Sequence, residues 1–217
     1  MSTVKHAVIA AAGLGSRLGM GKPKCLIEFS GTTILEHQLG LLRDVEDVRV
    51  VVGFEEERVT ALVKEIRPDV IIVRNPAYRT TTTLHSYSIG AEHIKENCLF
   101  MDGDILFQPS SFSSFLSGCE ANETLIGITK AKTKDAVYAL TNEQSEIESF
   151  SRVTSTPYEW ANIVWIAPNK FENPTATSVY ERLTAHLPLR AKEIVSYEID
   201  TKEDMDNAII NLCLFEL

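Results

Sequence analysis

The stretch 10–24, Ala-Ala-Ala-Gly-Leu-Gly-Ser-Arg-Leu-Gly-Met-Gly-Lys-Pro-Lys, restricts what this chain can fold into more than any other segment. It follows the short apolar run 7–10, which reads as a first strand. Gly13, Gly15, Gly19 and Gly21 fall within nine residues, so side chains are absent where something must approach the backbone closely. Successive main-chain N–H groups in such a loop form an anion-binding nest. Arg17, Lys22 and Lys24 add positive charge there, in a chain whose formal net charge is −9. An arginine suits forked contacts to phosphate oxygens and a lysine a single point charge. The segment therefore predicts a strand followed by a polyphosphate-binding loop.

Two familiar loops are excluded. Gly13, Gly15 and Gly19 give G-x-G-x-x-x-G, which is not the dinucleotide fingerprint, and no acid stands at a clean strand end about twenty residues on. No Gly-Lys-Ser/Thr follows, so the loop is not of the Walker type. A glycine-rich turn can be purely structural; Arg17 and the Pro23-Lys24 continuation argue for a ligand.

Bulk properties narrow the class. With 217 residues, 44% of them apolar, the chain can bury a sizeable core in one domain. Thirty acids against 21 Lys and Arg argue against a general nucleic-acid binder, which needs a basic face. A basic loop in an acidic chain points to a small anionic ligand. Cys25, Cys98, Cys119 and Cys213 lack C-x-x-C spacing and read as free or buried thiols. No apolar stretch has the length of a signal peptide or of a membrane span, which makes the cytoplasm the expected location and a membrane partner unexpected.

Along the chain the hydrophobic period alternates. Thr33-x-x-Glu36 is a capping box that opens a helix. Strands are expected over 48–52, 70–73, 98–101, 124–129, 163–166 and 194–199. Helices are expected over 55–66, 83–96, from Pro109, from 173 towards 187, and over 203–214. The all-apolar runs suit strands covered on both faces. Strands alternating with helices predict a Rossmann-like, doubly wound, mainly parallel α/β sheet in a single domain over 1–217. Residues 130–160 read as a small β-rich insertion flanking a substrate site. Asp102-Gly103-Asp104 ends an apolar strand, where acids in the same crevice as the cationic loop can hold Mg²⁺, although the tripeptide is also a good turn. Glu159 and Trp160 together could hold a cationic head group, the alternative being that Trp160 is packing. The five histidines are scattered, with no nucleophilic triad pattern.

Ala11-Ala12-Gly13-Leu14-Gly15-Ser16-Arg17-Leu18 followed by Lys22-Pro23-Lys24-Cys25-Leu26 resembles the signature of the nucleoside-triphosphate transferase family, and its short spacer is similar to that of small phosphocholine-type cytidylyltransferases. The resemblance implies that a nucleoside triphosphate is joined to a phosphorylated metabolite with release of pyrophosphate. It assigns Ala11, Ala12, Gly13, Leu14, Gly15 and Ser16 to the nucleotide, Arg17 to the β- and γ-phosphates, and Lys24 to the α-phosphate and acceptor oxygen. Asn75, Tyr78, Thr82, Thr83 and Ser86 match a second nucleotide segment, with threonines where those enzymes carry asparagines. Asp104 becomes one Mg²⁺ ligand, Asp102 a nucleotide contact and second choice for the metal. Glu198-Ile199-Asp200-Thr201 is similar to the family's closing motif, which makes Asp200 the other ligand; its alternative is a helix cap. The resemblance favours CTP and a small phosphorylated amine, amino acid, polyol or phosphonate used to decorate a cell-surface polymer. It leaves a homodimer open. A hexose-1-phosphate nucleotidyltransferase and a non-catalytic nucleotide-binding module are the alternatives. Because Lys24 lies in a loop, folding is expected to be independent of it.

Overall fold

The computed structural model describes residues 4–15, 18, 19, 21–133, 135–171 and 178–217. The chain opens with β1 (His6–Ala11), and its loop returns through a 3₁₀ turn at Lys24–Leu26 to the short hairpin β2 (Glu28–Phe29) and β3 (Thr32–Thr33). Helix α1 (Ile34–Leu41) starts at the expected capping box: the Thr33 hydroxyl accepts the Glu36 N–H at 3.1 Å, and the Glu36 carboxylate accepts that of Thr33 at 3.4 Å. Next come β4 (Asp47–Val52), α2 (Glu56–Ile66), β5 (Ile71–Arg74), α3 (Thr83–Gly90), β6 (Cys98–Asp102), β7 (Ile105–Phe107) and α4 (Pro109–Ser117). The second half holds β8 (Leu125–Lys130), β9 (Tyr138–Thr141), β10 (Glu146–Ser151), β11 (Tyr158–Ile166), α5 (Val179–Thr184), β12 (Leu189–Glu193), β13 (Ser196–Glu198) and α6 (Lys202–Ile210).

Nine strands of the described residues form one sheet in the order β5-β4-β1-β6-β11-β8-β12-β10-β9. β5, β4, β1 and β6 are parallel, β11 runs antiparallel between β6 and β8, and β12 is parallel to β8. The pieces from 130–160 add to the same sheet: β10 pairs with β12, β9 with β10, and β9 folds back onto the start of β11. Strand alternation sorts the core into two layers. Ala7, Ile9 and Ala11 face Leu35 and Leu39 of α1, Val59 and Val63 of α2, and Phe112 and Phe115 of α4. Val8, Val51 and Phe100 face Leu84 and Tyr87 of α3 and Leu183 of α5. Helices thus cover both faces of a mainly parallel sheet, a Rossmann-like α/β fold. Gly90 lets α3 lie directly on that sheet, since a Cβ there would sit 2.5 Å from Val8 Cγ1 and 2.8 Å from Val51 Cγ2.

Several expected elements differ. The run 70–73 reads as covered on both faces, but β5 is the edge strand and Ile71 is 48% exposed. The helix expected over 83–96 ends at Gly90, and His93 at φ 71° is left-handed, which a helix cannot continue through. Residues 194–199 do not extend one strand: the chain leaves the main sheet after β12, and β13 pairs with β7 instead. Glu159–Asn162 lie within β11, not ahead of it. The start expected for the helix from 173 lies outside the described residues; α5 is its described part. All four cysteines are free, and three of them, Cys25, Cys98 and Cys119, are buried. Among the described residues no helix is long and apolar enough to cross a membrane.

Candidate active site

The loop after β1 forms one wall of a cavity of about 570 Å³. Ala11, Ala12, Gly13, Leu14 and Gly15 line it, facing Tyr78, Thr82, Thr83 and Ser86 of the segment before and into α3. Pro23, with φ preset at −54°, leads into the 3₁₀ turn that carries Lys24 into the cavity. The buried Asn75 side chain ties the opposite wall together, donating to Thr81 Oγ1 at 3.1 Å and Ser86 Oγ at 3.2 Å and accepting the Ala77 N–H at 3.0 Å.

Asp104 and Asp200 are brought to Lys24 by a small two-stranded sheet. β7 pairs with β13, so Ile105 stands opposite Glu198, and the Ile199 N–H donates to the Asp104 carbonyl at 2.9 Å. Gly103 permits the turn: its N–H bonds the Ala10 carbonyl at 2.9 Å, and a Cβ would lie 3.0 Å from that oxygen. Buried Gln38 of α1 clamps the turn by donating to the carbonyls of Asp102 and Ile105, both at 2.8 Å. On the other side, Thr201 caps α6, and Asp204 accepts the N–H groups of Asp200 and Thr201. Lys24 Nζ then donates to Asp104 Oδ2 at 2.7 Å and Asp200 Oδ1 at 2.5 Å, so both carboxylates face one point.

This point is crowded with acid. Burial, followed by the charge of Asp104, lifts the Asp102 carboxyl to about 7, against a 2.6 Å hydrogen bond from the Tyr87 hydroxyl. Burial and then the charges of Asp104 and Asp102 lift Glu198 to about 8. Burial opposes the charge on Lys24, but its two carboxylates outweigh that and raise its pKa. The donor set fits Mg²⁺, a hard cation that takes one or two carboxylates together with phosphate oxygens. One ammonium already touches both Asp104 and Asp200, and a divalent cation would offset more of the gathered charge. Among the described residues no group of three or more ligating side chains is assembled, so the remaining ligands would be phosphate oxygens and water.

A second cavity, of about 480 Å³, adjoins the first. Its wall carries Asp135, Glu159, Glu203 and Asp204 besides Glu198 and Asp200, against Lys132 and Arg152. A bulge in β11, between Trp160 and Val164, puts Asn162 at φ 49° and directs its amide to Glu198 at 3.0 Å.

A model of the MobA-like NTP transferase domain matches residues 7–167. The chain belongs to that family. A CMP-5'-(3-aminopropyl)phosphonate synthase of Streptomyces rubellomurinus is 35% identical over 124 residues, 54% of this nucleotidyltransferase-family chain and 20% of the relative. A 2-C-methyl-D-erythritol 4-phosphate cytidylyltransferase of Neisseria meningitidis is 30% identical over 137 residues, 58% of this chain and 60% of the relative. The chain thus aligns to between a fifth and three fifths of the length of these two relatives. A solved CTP:phosphocholine cytidylyltransferase from Streptococcus pneumoniae shares the fold with a TM-score of 0.80 at 18% identity, covering 95% of this chain and 98% of that one. The inositol-1-phosphate CTP transferase from T. maritima superposes with a TM-score of 0.78 at 18% identity, covering 98% and 96%.

Of the residues singled out in the sequence, the structure of this family member gathers Ala11–Gly15, Lys24, Thr82, Thr83, Ser86, Asp102, Asp104 and Asp200 around the first cavity. Ser16 and Arg17 lie outside the described residues. Glu159 and Trp160 line the second cavity, and both also serve the fold, as the packing alternative for Trp160 had it. Glu159 Oε2 accepts the N–H groups of Lys132 and Thr133 and the Thr133 hydroxyl, which holds the turn after β8. Trp160 is 7% exposed and packs in the core layer with Ile128 and Ala139. Sequence reasoning passed over Gln38, Tyr87, Arg152, Asn162 and Glu198 as site residues. Glu198 stands in the closing motif and was within reach; the others carry no local signal, because partners far along the chain bring them here. Lys24 also proves to be tied to two carboxylates, so the independence of folding expected from its loop position does not follow.

Proposed function

We propose that this protein transfers a cytidylyl group from CTP to a small acceptor carrying a phosphate or phosphonate at one end and an amine at the other, releasing pyrophosphate. The observation that carries the reading is that two cavities, one walled by the glycine-rich loop and the other by carboxylates, share Asp102, Glu198 and Asp200, with Asp200 bonded to Lys24 and Lys24 to Asp104. Similarity to the cytidylyltransferases and the phosphonate-linked synthase described above favours CTP and phosphate- or phosphonate-bearing acceptors. The acid-rich second cavity, which Trp160 also lines, favours a cationic group. A CDP- or CMP-linked product made in the cytoplasm for a surface polymer belongs to the same proposal.

An acceptor oxygen ionised at neutral pH needs no general base. It attacks the α-phosphorus, the bond from that phosphorus to the bridging oxygen breaks, and pyrophosphate leaves with the electron pair. The protein's task is to align two polyanions and offset the charge that develops. Lys24 is assigned to leave the carboxylates for the α-phosphate and incoming oxygen. The loop N–H groups and Arg17 are assigned the β- and γ-phosphates. Held by Asp104 and Asp200, Mg²⁺ would supply Lewis-acid neutralisation of the α-phosphate.

The test is pyrophosphate release by the purified protein over four nucleoside triphosphates and a panel of phosphates and phosphonates, with and without amines. CTP with an amine-bearing acceptor is expected to be preferred. A hexose 1-phosphate turned over faster than every amine would favour the second reading, a nucleotide-sugar enzyme. No release with any pair would leave a nucleotide-binding module.

A further inference from the structure

Thr82, Thr83, Asp102, Arg152, Glu198 and Asp200 line both cavities, and Arg152 is the cation among them. Resting on the reading above, in which the nucleotide fills the first cavity and a phosphorylated acceptor the second, we infer that Arg152 grips the acceptor's phosphate or phosphonate where the cavities join.

An acceptor phosphate arriving there meets Asp102, Glu198 and Asp200, so it needs a cation close by. Lys24 is engaged by Asp104 and Asp200 here and, on the reading above, serves the α-phosphate and the attacking oxygen, which leaves the acceptor's other phosphate oxygens without a cation. Lys132 is engaged too: its ammonium donates to Thr129 Oγ1 at 3.0 Å and the Lys130 carbonyl at 3.1 Å, with a Glu159 oxygen at 3.9 Å. Arg152 differs from both. Its guanidinium lies over the Tyr180 ring at 5.2 Å and makes one long contact, 3.4 Å, to the Asp135 carbonyl. Among the described residues no carboxylate forms an ion pair with it. Stacking holds the planar group in place while leaving its N–H fork available, and that fork matches phosphate oxygens.

The supports of Arg152 also say which substrate it serves. Tyr180 and Asp135 line the second cavity and not the first. The turn that carries Arg152 is fixed at the end of β10, where Ser151 Oγ accepts the N–H groups of Val153 at 3.0 Å and Thr154 at 2.7 Å. The Arg152 side chain thus reaches the junction from the acceptor side, opposite the glycine-rich loop and Lys24. It would hold the attacking group against the α-phosphate, with affinity for the acceptor as the chief consequence.

Steady-state kinetics of pyrophosphate release on wild type, Arg152→Ala and Arg152→Lys, with thermal melting alongside, tests this. Hydrogen bonds to a charged group are worth about 1.5–3 kcal/mol, so Arg152→Ala should raise the acceptor KM roughly 10- to 100-fold. The KM for CTP should stay within about twofold, as expected when only the acceptor loses a contact. Arg152→Lys, which keeps the charge and loses the fork, should fall between. Melting should be unchanged, since the side chain is exposed. Equal increases in both KM values, or an acceptor KM within about twofold of wild type in Arg152→Ala, would overturn the inference while leaving the transferase reading intact. A wild-type protein that releases no pyrophosphate with any pair would overturn that reading, and the inference with it.

Discussion

Replacing Lys24 with methionine keeps the length of the side chain and removes its charge. Two separable losses should follow. The first is catalytic. Lys24 is the described cation closest to both Asp104 and Asp200, and losing one electrostatic stabiliser of a transition state costs about 10²- to 10³-fold in kcat. The second is structural. Lys24, Asp104 and Asp200 have side-chain exposures of 16%, 20% and 12%, so their contacts lie between a surface pair and a buried one. Surface pairs contribute about 0–1 kcal/mol and broken buried pairs cost about 3–5 kcal/mol, which places this substitution near 2 kcal/mol. For a chain of this size that lowers Tm by about 4–8 °C. Melting curves and pyrophosphate-release kinetics read the two losses independently. Added Mg²⁺ should recover more of the melting loss in Lys24→Met than it adds to wild type, because a divalent cation between Asp104 and Asp200 replaces the missing ammonium. A kcat within about tenfold of wild type would refute the assignment of Lys24 to the transition state. An unchanged Tm, with no response to Mg²⁺, would refute the electrostatic account of the junction.

Gln38→Leu should destabilise the protein by about 1–3 kcal/mol in denaturant titration, because the carbonyls of Asp102 and Ile105 lose their buried donor. It should also lower kcat, since that clamp positions Asp104, whereas an unchanged kcat would separate the clamp from the chemistry. His37 is buried and bonds the Phe107 carbonyl at 2.7 Å; burial, more than any other influence, depresses its pKa below the ordinary 6.5. A depressed folded-state pKa means that the unfolded chain binds the proton more readily. The stability contributed by neutral His37 is therefore present above pH 6.5 and lost as pH falls through and below it. Melting at pH 7.5 and 5.5 should show a smaller acid-side drop for His37→Gln than for wild type; equal drops would assign the sensitivity elsewhere.

The loop at 10–24 was legible because its chemistry is local: glycines, cations and a proline act within one segment, whatever packs around them. The capping box at Thr33 and the alternation of strand and helix periods were legible for the same reason, and they led to the right class of fold. The edge position of β5 was not, since the run 70–73 looks the same whether a neighbouring strand covers one side or two. Nor was the commitment of Glu159, whose carboxylate is taken up by the N–H groups of Lys132 and Thr133, 27 and 26 residues earlier.

The resemblance named Lys24, Asp104 and Asp200 as a set, but nothing in the local sequence brings them together. Lys24 and Asp200 are separated by 176 positions, and Lys24 and Asp104 by 80. What joins them is the departure of β13 from the main sheet to pair with β7, together with the Gln38 clamp on the turn after β6. By itself the sequence determined the class of fold and a loop chemically suited to an anionic ligand, through residues whose chemistry acts over a few positions. The tertiary structure decided which distant side chains share one crevice with that loop, because charge and hydrogen bonding act over a few ångströms and only the folded chain sets those distances.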